Sequence, residues 1–549
     1  MRYVAMMLMV GFGVAQAADI SPFGIGGDSQ SSRSWTSWAP IMAKAGIKWV
    51  RGFGGFNEIE PAEGQFVWTS ADTVVGAAEH NGISDSGILL YGAPWIGGDL
   101  PVNNLKAWGD YVSACVTRYK GRIKYWEIWN ETPNFIGNGT ASDYARTVYT
   151  AYEAAKKADP TCLIGLSIQS VNVNWIVSVL DAGAKDRFDW ITVHPYEVLG
   201  MVQSDGIEAQ FMSIVPTLRK MLADRDPARV KAPIWFTEIG YDAGKSEEMQ
   251  AGALVKAYAM SIVQGVEVVE WFEGKDGDSG PMGLLKADGT PRMSLTAYTT
   301  MTKYLGPTPK YVGWVLLNDK DYAFVFQGAA GTVMTTWAKP GTFDKVDLGA
   351  SVEVVFPMNG ISVHTSACEL TTAPVLVVGV PAAIVDKARA NRGKPFPWGG
   401  DYTGAKSVSV TMGEPNVEKG LHEIGTEGNT TVAQIDGAPC RDCSKGNGPN
   451  FTVDPNFLSY DMVPITVTVV VRRKDAAVNA GFNLKYEATN GWHGSGPWNT
   501  IPADTQWHTL TWTIIDPQFV GKWGTNLAMD SDSQQYSGYY VRSVTVEKR

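Results

Sequence analysis

Between Asp19 and about Leu305, short apolar runs alternate with amphipathic helical segments, and this rhythm restricts the chain to a small set of folds. The runs Ser21–Ile25, Ile47–Arg51, Gly87–Tyr91, Lys124–Asn130, Leu163–Ser167, Asp189–His194, Ile234–Glu238 and Val266–Phe272 read as strands. Helical spacing fills the gaps at Ser34–Lys44, Ser70–His80, Asn104–Tyr119, Ser142–Ala158, Glu208–Leu222 and Glu247–Val263. Eight strands, each followed by helix, have the order and size of a (β/α)8 TIM barrel in the α/β class. A doubly wound open sheet is the rival, but Gly24-Ile25-Gly26-Gly27 lacks the third glycine of a nucleotide-binding turn.

At 549 residues the chain is too long for one ordinary core. Past Gly306, short strands alternate with Asn, Asp, Gly and Pro turns, at Tyr311–Leu316, Tyr322–Gln327, Gly331–Ala338, Val352–Phe356, Pro374–Val378 and Ala383–Val385. The expected organisation is a signal peptide over residues 1–17, a barrel over 18–306 and a small antiparallel β domain over 307–386. A linker over 387–400 and a β-sandwich of jelly-roll type over 401–549 complete it. Arg2, the apolar run Val4 to Val14 and Ala15-Gln16-Ala17 form the signal pattern, which implies a secreted or periplasmic protein. No stretch is apolar enough to insert in a membrane.

Composition narrows the partners. Aromatic residues make up 11% of the chain, with 20 Trp, against only 19% charged residues. That balance suits stacking on neutral sugars better than gripping phosphates. A net charge of −10 without a basic stripe excludes a nucleic-acid partner. Cys440-Arg-Asp-Cys443 could close a local disulfide; as a zinc site it lacks a second pair. Cys115, Cys162 and Cys368 read as ordinary thiols.

Reactive groups of a TIM barrel sit at the carboxyl ends of its strands. Here those ends carry Arg51, Tyr91 with Trp95 beyond it, Asn130-Glu131, His194-Pro195-Tyr196, Thr237-Glu238 and Trp271. Glu131 on the fourth strand and Glu238 on the seventh stand three strands apart, which points them at each other across the mouth. Two facing carboxylates are the machinery of glycoside hydrolysis, one attacking the anomeric carbon while the other protonates the leaving oxygen. Mutual repulsion would raise the proton affinity of one of them.

Specific motifs sharpen this. Trp126-Glu-Ile-Trp-Asn-Glu131-Thr-Pro-Asn resembles the acid/base signature of clan A retaining glycoside hydrolases, and Trp235-Phe-Thr-Glu238-Ile-Gly resembles their nucleophile strand. Gly46-Ile-Lys-Trp-Val-Arg51, Glu60-Pro-Ala-Glu-Gly64 and Trp68 match that clan's second βα unit. His194-Pro-Tyr196 and the small β unit make family 39 and its close relatives the nearest pattern, over about residues 20–385. The resemblance implies Glu131 as acid/base and Glu238 as nucleophile. It implies that Asn130 bonds the sugar 2-hydroxyl, that Arg51 keeps Glu238 ionised, and that His194 and Tyr196 orient Glu238 or the sugar. Trp271 would be the stacking floor; Trp95, just beyond the third strand, reads as loop packing or as a subsite ring. No metal or cofactor is implied. Thr132 is a departure, standing where many relatives run directly from Glu to Pro, so the local loop is open.

The expected function is a retaining hydrolase of β-linked poly- or oligosaccharide. A glycan-binding protein without turnover, and a transglycosylase on the same barrel, are the other readings. Trp492 and Trp498, in the loop Asn490–Asn499, offer the sandwich a role as a carbohydrate-binding module, against that of a structural appendage. Loops Glu197–Gly206 and Gly274–Pro281 are expected to set specificity.

Overall fold

The computed structural model describes residues 20–27, 34–97, 99–425, 430–489, 491–494 and 498–549. The expected signal peptide, residues 1–17, lies outside them. Eight parallel strands close into a barrel: β1 (Phe23–Gly26), β2 (Trp49–Arg51), β3 (Ser84–Leu89), β4 (Tyr125–Thr132), β5 (Leu163–Ile168), β6 (Trp190–Val193), β7 (Ile234–Ile239) and β8 (Val269–Trp271). Closure is made by β1 pairing with both β2 and β8.

Side-chain alternation sorts each strand between the helix layer and the barrel interior. The interior floor, at the amino ends of the strands, is an aromatic plug. Trp235 packs on Tyr125, Trp190 and Trp49 with ring centroids 4.5, 4.8 and 5.1 Å apart. Above it the interior turns polar, with Ser86, Glu127, Thr192, Thr237 and Glu270 all buried. The outer helices Trp35–Lys44, Thr69–His80, Leu105–Arg118, Ala141–Ala158 and Glu247–Gln264 fall where helical spacing places them.

Three segments differ from expectation. Glu197–Gly206 is not a loop: Tyr196–Asp205 is a helix ending on left-handed Gly206, and its apolar residues Val198, Leu199 and Val202 are buried. A further helix, Val173–Val179, opens on Asn172, whose side chain caps the backbone of Trp175. The Glu208–Leu222 run is broken at Ser213 into Glu208–Met212 and Ile214–Arg225.

Beyond the barrel, six antiparallel strands form one sheet in the order Ile361–Leu370, Asp344–Phe356, Val375–Val378, Gly331–Thr336, Asp321–Gly328 and Lys310–Leu317. One face holds Val315, Val325, Val354 and Val377, while Phe324, Phe326 and Trp337 join the core of the barrel. Ala383–Val385, read as strand, lies instead in the helix Ala382–Asn391, which also takes up the start of the expected linker. Trp398 in that linker is buried and stacks on His422 at 3.7 Å.

The remaining strands form two antiparallel sheets over a shared core of Val467, Val469, Leu484, Phe482, Leu527 and Val544. Cys440 and Cys443 are buried free thiols, as are Cys115, Cys162 and Cys368. Trp498 leans edge-on against Tyr536 at 5.0 Å, and residues 490 and 495–497 of its loop lie outside the described ones. Among the described residues no helix is long and apolar enough to cross a membrane.

Candidate active site

β4 does not run straight to its end. Trp129 and Glu131 both adopt the left-handed region, with φ of 70° and 45°, and the register with β5 shifts between Ile128 and Thr132. Non-glycine residues there carry a conformational cost that the surroundings must hold in place. Several bonds do so. Ser167 Oγ accepts from the Glu131 backbone N–H at 3.0 Å, and Thr132 Oγ1 donates to the Ser167 carbonyl at 2.6 Å. Trp175 Nε1 donates to Thr132 Oγ1 at 2.9 Å, and Trp129 Nε1 donates to the Phe135 carbonyl at 2.8 Å. Thr132 is thus a buried splice between β4 and β5. The bend delivers both Asn130 and Glu131 to the mouth, where simple alternation would turn one of them away.

Arg51, at the end of β2, is the hub. Its Nε and Nη2 clasp Glu127 at 2.7 and 3.1 Å, and Nη2 also donates to Asn130 Oδ1 at 2.8 Å. Its Nη1 ion-pairs with Glu238 Oε1. Burial alone would lower the arginine's pKa, but Glu127 and Glu238 overcome it and hold the guanidinium firmly charged. Tyr196 donates its hydroxyl to Glu238 Oε2 at 3.0 Å. Glu238 is therefore held at both oxygens.

Glu131 has a different partner. His194 Nδ1 lies 2.9 Å from Glu131 Oε1, and its Nε2 lies 3.0 Å from Thr237 Oγ1. Burial pushes the Glu131 carboxyl up, but the hydrogen bond and charge of His194 outweigh it and hold it below the ordinary range. Burial pulls His194 down, but Glu238 and Glu131 outweigh that and hold it above its ordinary range. Expected repulsion between the two glutamates is thus masked on the Glu131 side by a buried imidazole. Glu131, His194 and Glu238 also bring ligand atoms within 4.8 Å of one another, a spacing that could seat a cation. The Arg51 guanidinium already paired to Glu238 opposes one there.

Two expected residues lie elsewhere. Trp271 is fully buried in the helix-side core. The physical reason is alternation along β8: Glu270 points inward, accepting from Ser86 Oγ at 2.7 Å, so Trp271 must point outward. The next residue, Phe272, turns back to the mouth, where its ring stands 6.4 Å from that of Tyr196. Trp95 is committed to its loop, donating to the Glu60 carbonyl at 2.8 Å and packing on Phe56. Tyr91, 38% exposed, lies past the end of β3 and reaches Asn130 Nδ2 at 3.4 Å.

Sequence reasoning passed over Glu127, Phe272 and Phe135, an exposed ring 5.9 Å from Tyr91. Glu127 carried a signal, since it shares a strand face with Glu131. Glu270 is a further interior carboxyl, pushed well above its ordinary range by burial.

Residues 54–174, which include Asn130 and Glu131, match the sequence pattern of Glycosyl hydrolase family 10. Endo-1,4-beta-xylanase 3 of Hypocrea jecorina is 34% identical over 120 residues, 19% of this chain and 33% of that protein. Endo-1,4-beta-xylanase 5 of Arabidopsis thaliana is 23% identical over 223 residues, 38% of each chain. The chain therefore spans about a third of the length of these relatives. A solved structure of a family 39 glycoside hydrolase from Bacteroides cellulosilyticus superposes with a TM-score of 0.55 at 20% identity, covering 65% of this chain and 80% of that one. Residues 54–174, which carry the third to fifth strands, thus resemble Glycosyl hydrolase family 10, and the barrel shares its fold with the family 39 structure.

Proposed function

We propose that this protein is a retaining glycoside hydrolase that cleaves β-glycosidic bonds of a poly- or oligosaccharide by double displacement. The supporting observation is the carboxylate pair: oxygens of Glu131 and Glu238 lie within 4.8 Å of each other. Retaining enzymes hold their two carboxyl groups about 5–5.5 Å apart, whereas inverting ones leave about 6.5–9.5 Å for a water.

The partners divide the labour. Glu238, paired with Arg51 and steered by Tyr196, attacks the anomeric carbon, and the bond to the leaving oxygen breaks as the bond to Glu238 forms. Glu131 and His194 hold one proton between them. A bound sugar excludes water, which favours the neutral acid and leaves the proton on Glu131 to pass to the leaving oxygen. Water then attacks the anomeric carbon of the glycosyl ester as its bond to Glu238 breaks, and Glu131 takes a proton from that water. Asn130, fixed by Arg51, faces the sugar's 2-hydroxyl, and Phe272 replaces Trp271 as the apolar floor.

The family 10 segment makes β-1,4-linked xylan the first polymer to test. In the same reading residues 1–17 direct export, which suits a polymeric substrate that a cell cannot take up. Proton NMR of the first products from xylan and other plant, algal and microbial polysaccharides tests the proposal. The β-anomer should appear first. Initial α-anomer would exclude retention, and no new reducing ends from any polymer would exclude the hydrolase.

A further inference from the structure

The carboxy-terminal sandwich reaches the mouth of the barrel. It is strapped to the helix Ile214–Arg225 by Thr217 with Ser459 at 2.7 Å, Lys220 with Asp461 at 3.0 Å, and Tyr460 with Asp224 at 2.9 Å. Nearer the site, Asn174, in the first turn of the helix after β5, donates to the Ala488 carbonyl at 2.8 Å. The next residue of the sandwich inward from Ala488 is Glu487, fully enclosed. Its carboxylate accepts from the backbone N–H groups of Val520 and Gly521 at 2.9 Å and Lys522 at 3.0 Å, and from Asn526 Nδ2 at 2.9 Å.

That carboxylate clamps a turn whose outer side sits on the barrel. Gly521 and Gly524 have φ of 69° and 82°. A Cβ on them would lie 1.8 Å from Gln210 Nε2 and 2.3 Å from Met201 Sδ, so only bare backbone fits against these helices. Lys522, at the tip, places its Nζ 4.5 Å above the half-buried ring of Trp523. Glu197 lies in the first turn of the helix that Tyr196 opens, the helix whose Met201 meets Gly524. Glu197 accepts from Ser170 Oγ at 2.9 Å, while its other oxygen is enclosed with no hydrogen-bond partner among the described residues. Burial pushes its carboxyl above the ordinary range, with the charge of Glu131 adding to the rise and that of Lys522 opposing it.

The turn therefore packs on the helix that Tyr196 opens, while Ala488 meets the helix after β5, the strand to which Ser167 ties Glu131. We propose that the sandwich segment Gln518–Trp523 forms the leaving-group wall of the cleft, with Lys522 and Trp523 contacting the sugar unit beyond the scissile bond. This rests on the glycosidase reading above. It makes the sandwich part of the substrate site, and the ligand class is an oligosaccharide that extends past the cleaved bond. An ammonium seated on an indole offers that sugar one apolar face and one set of donors.

The test uses the full chain with two probes, 4-nitrophenyl β-xyloside, which has no leaving-side sugar, and xylohexaose. For Trp523→Ala and Lys522→Ala, the ratio of kcat/KM on xylohexaose to that on the aryl xyloside should fall about tenfold. Trp523→Phe should restore most of the ratio, which a fold defect would not allow. Calorimetric binding of xylohexaose to Glu238→Gln should likewise weaken when Trp523→Ala is added. Equal losses on both probes, or none, overturn the wall and leave the hydrolase standing. Trp523-dependent binding without turnover by the wild type overturns the hydrolase and leaves the wall. Neither binding nor turnover of these xylosides overturns both as a xylan-directed site.

Discussion

His194 spends both ring nitrogens inside the barrel, Nδ1 on Glu131 at 2.9 Å and Nε2 on Thr237 at 3.0 Å. Thr237 passes the contact on to Thr192 Oγ1 at 2.5 Å and to Glu127 Oε1 at 3.4 Å. The proposed acid and the Arg51 hub are thereby joined by a continuous polar chain, and the proton affinity of Glu131 depends on a side chain 63 residues away.

Stability should report this pairing through pH. The raised pKa of His194 contributes stability that is complete below its ordinary value, about 6.5, and is lost as pH rises through the raised one. The lowered pKa of Glu131 contributes stability present above about 4.3 and lost as pH falls through the lowered value. Urea midpoints of wild type and His194→Gln should thus differ most near pH 5–6 and converge in alkali. A gap that is flat with pH would show that no ion pair forms.

Removing the proposed nucleophile should be rescuable. Glu238→Ala is expected to lose nearly all turnover, with azide restoring a measurable part by standing in for the carboxylate. Wild-type activity in this variant would exclude the assignment.

For Glu131 the signature is selectivity. Glu131→Ala should slow substrates with poor leaving groups by about 10²–10⁴-fold while aryl glycosides with acidic phenols lose far less. Equal losses across a leaving-group series would assign the proton to another residue.

Arg51→Met strands Glu127 and Glu238 together in a buried site. Breaking such a pair from one side costs about 3–5 kcal/mol, visible as a lower denaturation midpoint. An unchanged midpoint would mean that water already shields these carboxylates.

The two neighbours on β8 should separate cleanly. Trp271→Ala empties a core position and should cost about 3–5 kcal/mol of stability. Phe272→Ala should keep the midpoint within about 1 kcal/mol, as expected away from a packed core, and instead raise KM. The reverse pattern would return the floor to Trp271.

Much of the barrel was legible because its signals are local. Apolar runs and helical spacing in the first 305 residues place all eight strands within a few positions, and strand ends brought Arg51, Asn130, Glu131, His194, Tyr196 and Glu238 to one mouth. The errors came where a longer-range force decided. Trp271 has a sugar-binding composition, yet its direction was set by Glu270 bonding to Ser86 across the barrel. Tyr196–Asp205 contains Gly200 and mixed polarity, so its helix emerges from packing rather than from periodicity. The docking of Gly521 and Gly524 joins parts of the chain more than 300 residues apart, and no local pattern announces such a contact.

The aromatic floor of Trp49, Tyr125, Trp190 and Trp235 fills the amino end of the barrel interior, opposite the doorway at the mouth. Glu127, Glu270 and the threonine relay are buried between the two. A long-lived glycosyl adduct on Glu238 would cork that doorway, and the enclosed groups would then keep whatever isotopic label they held when it closed.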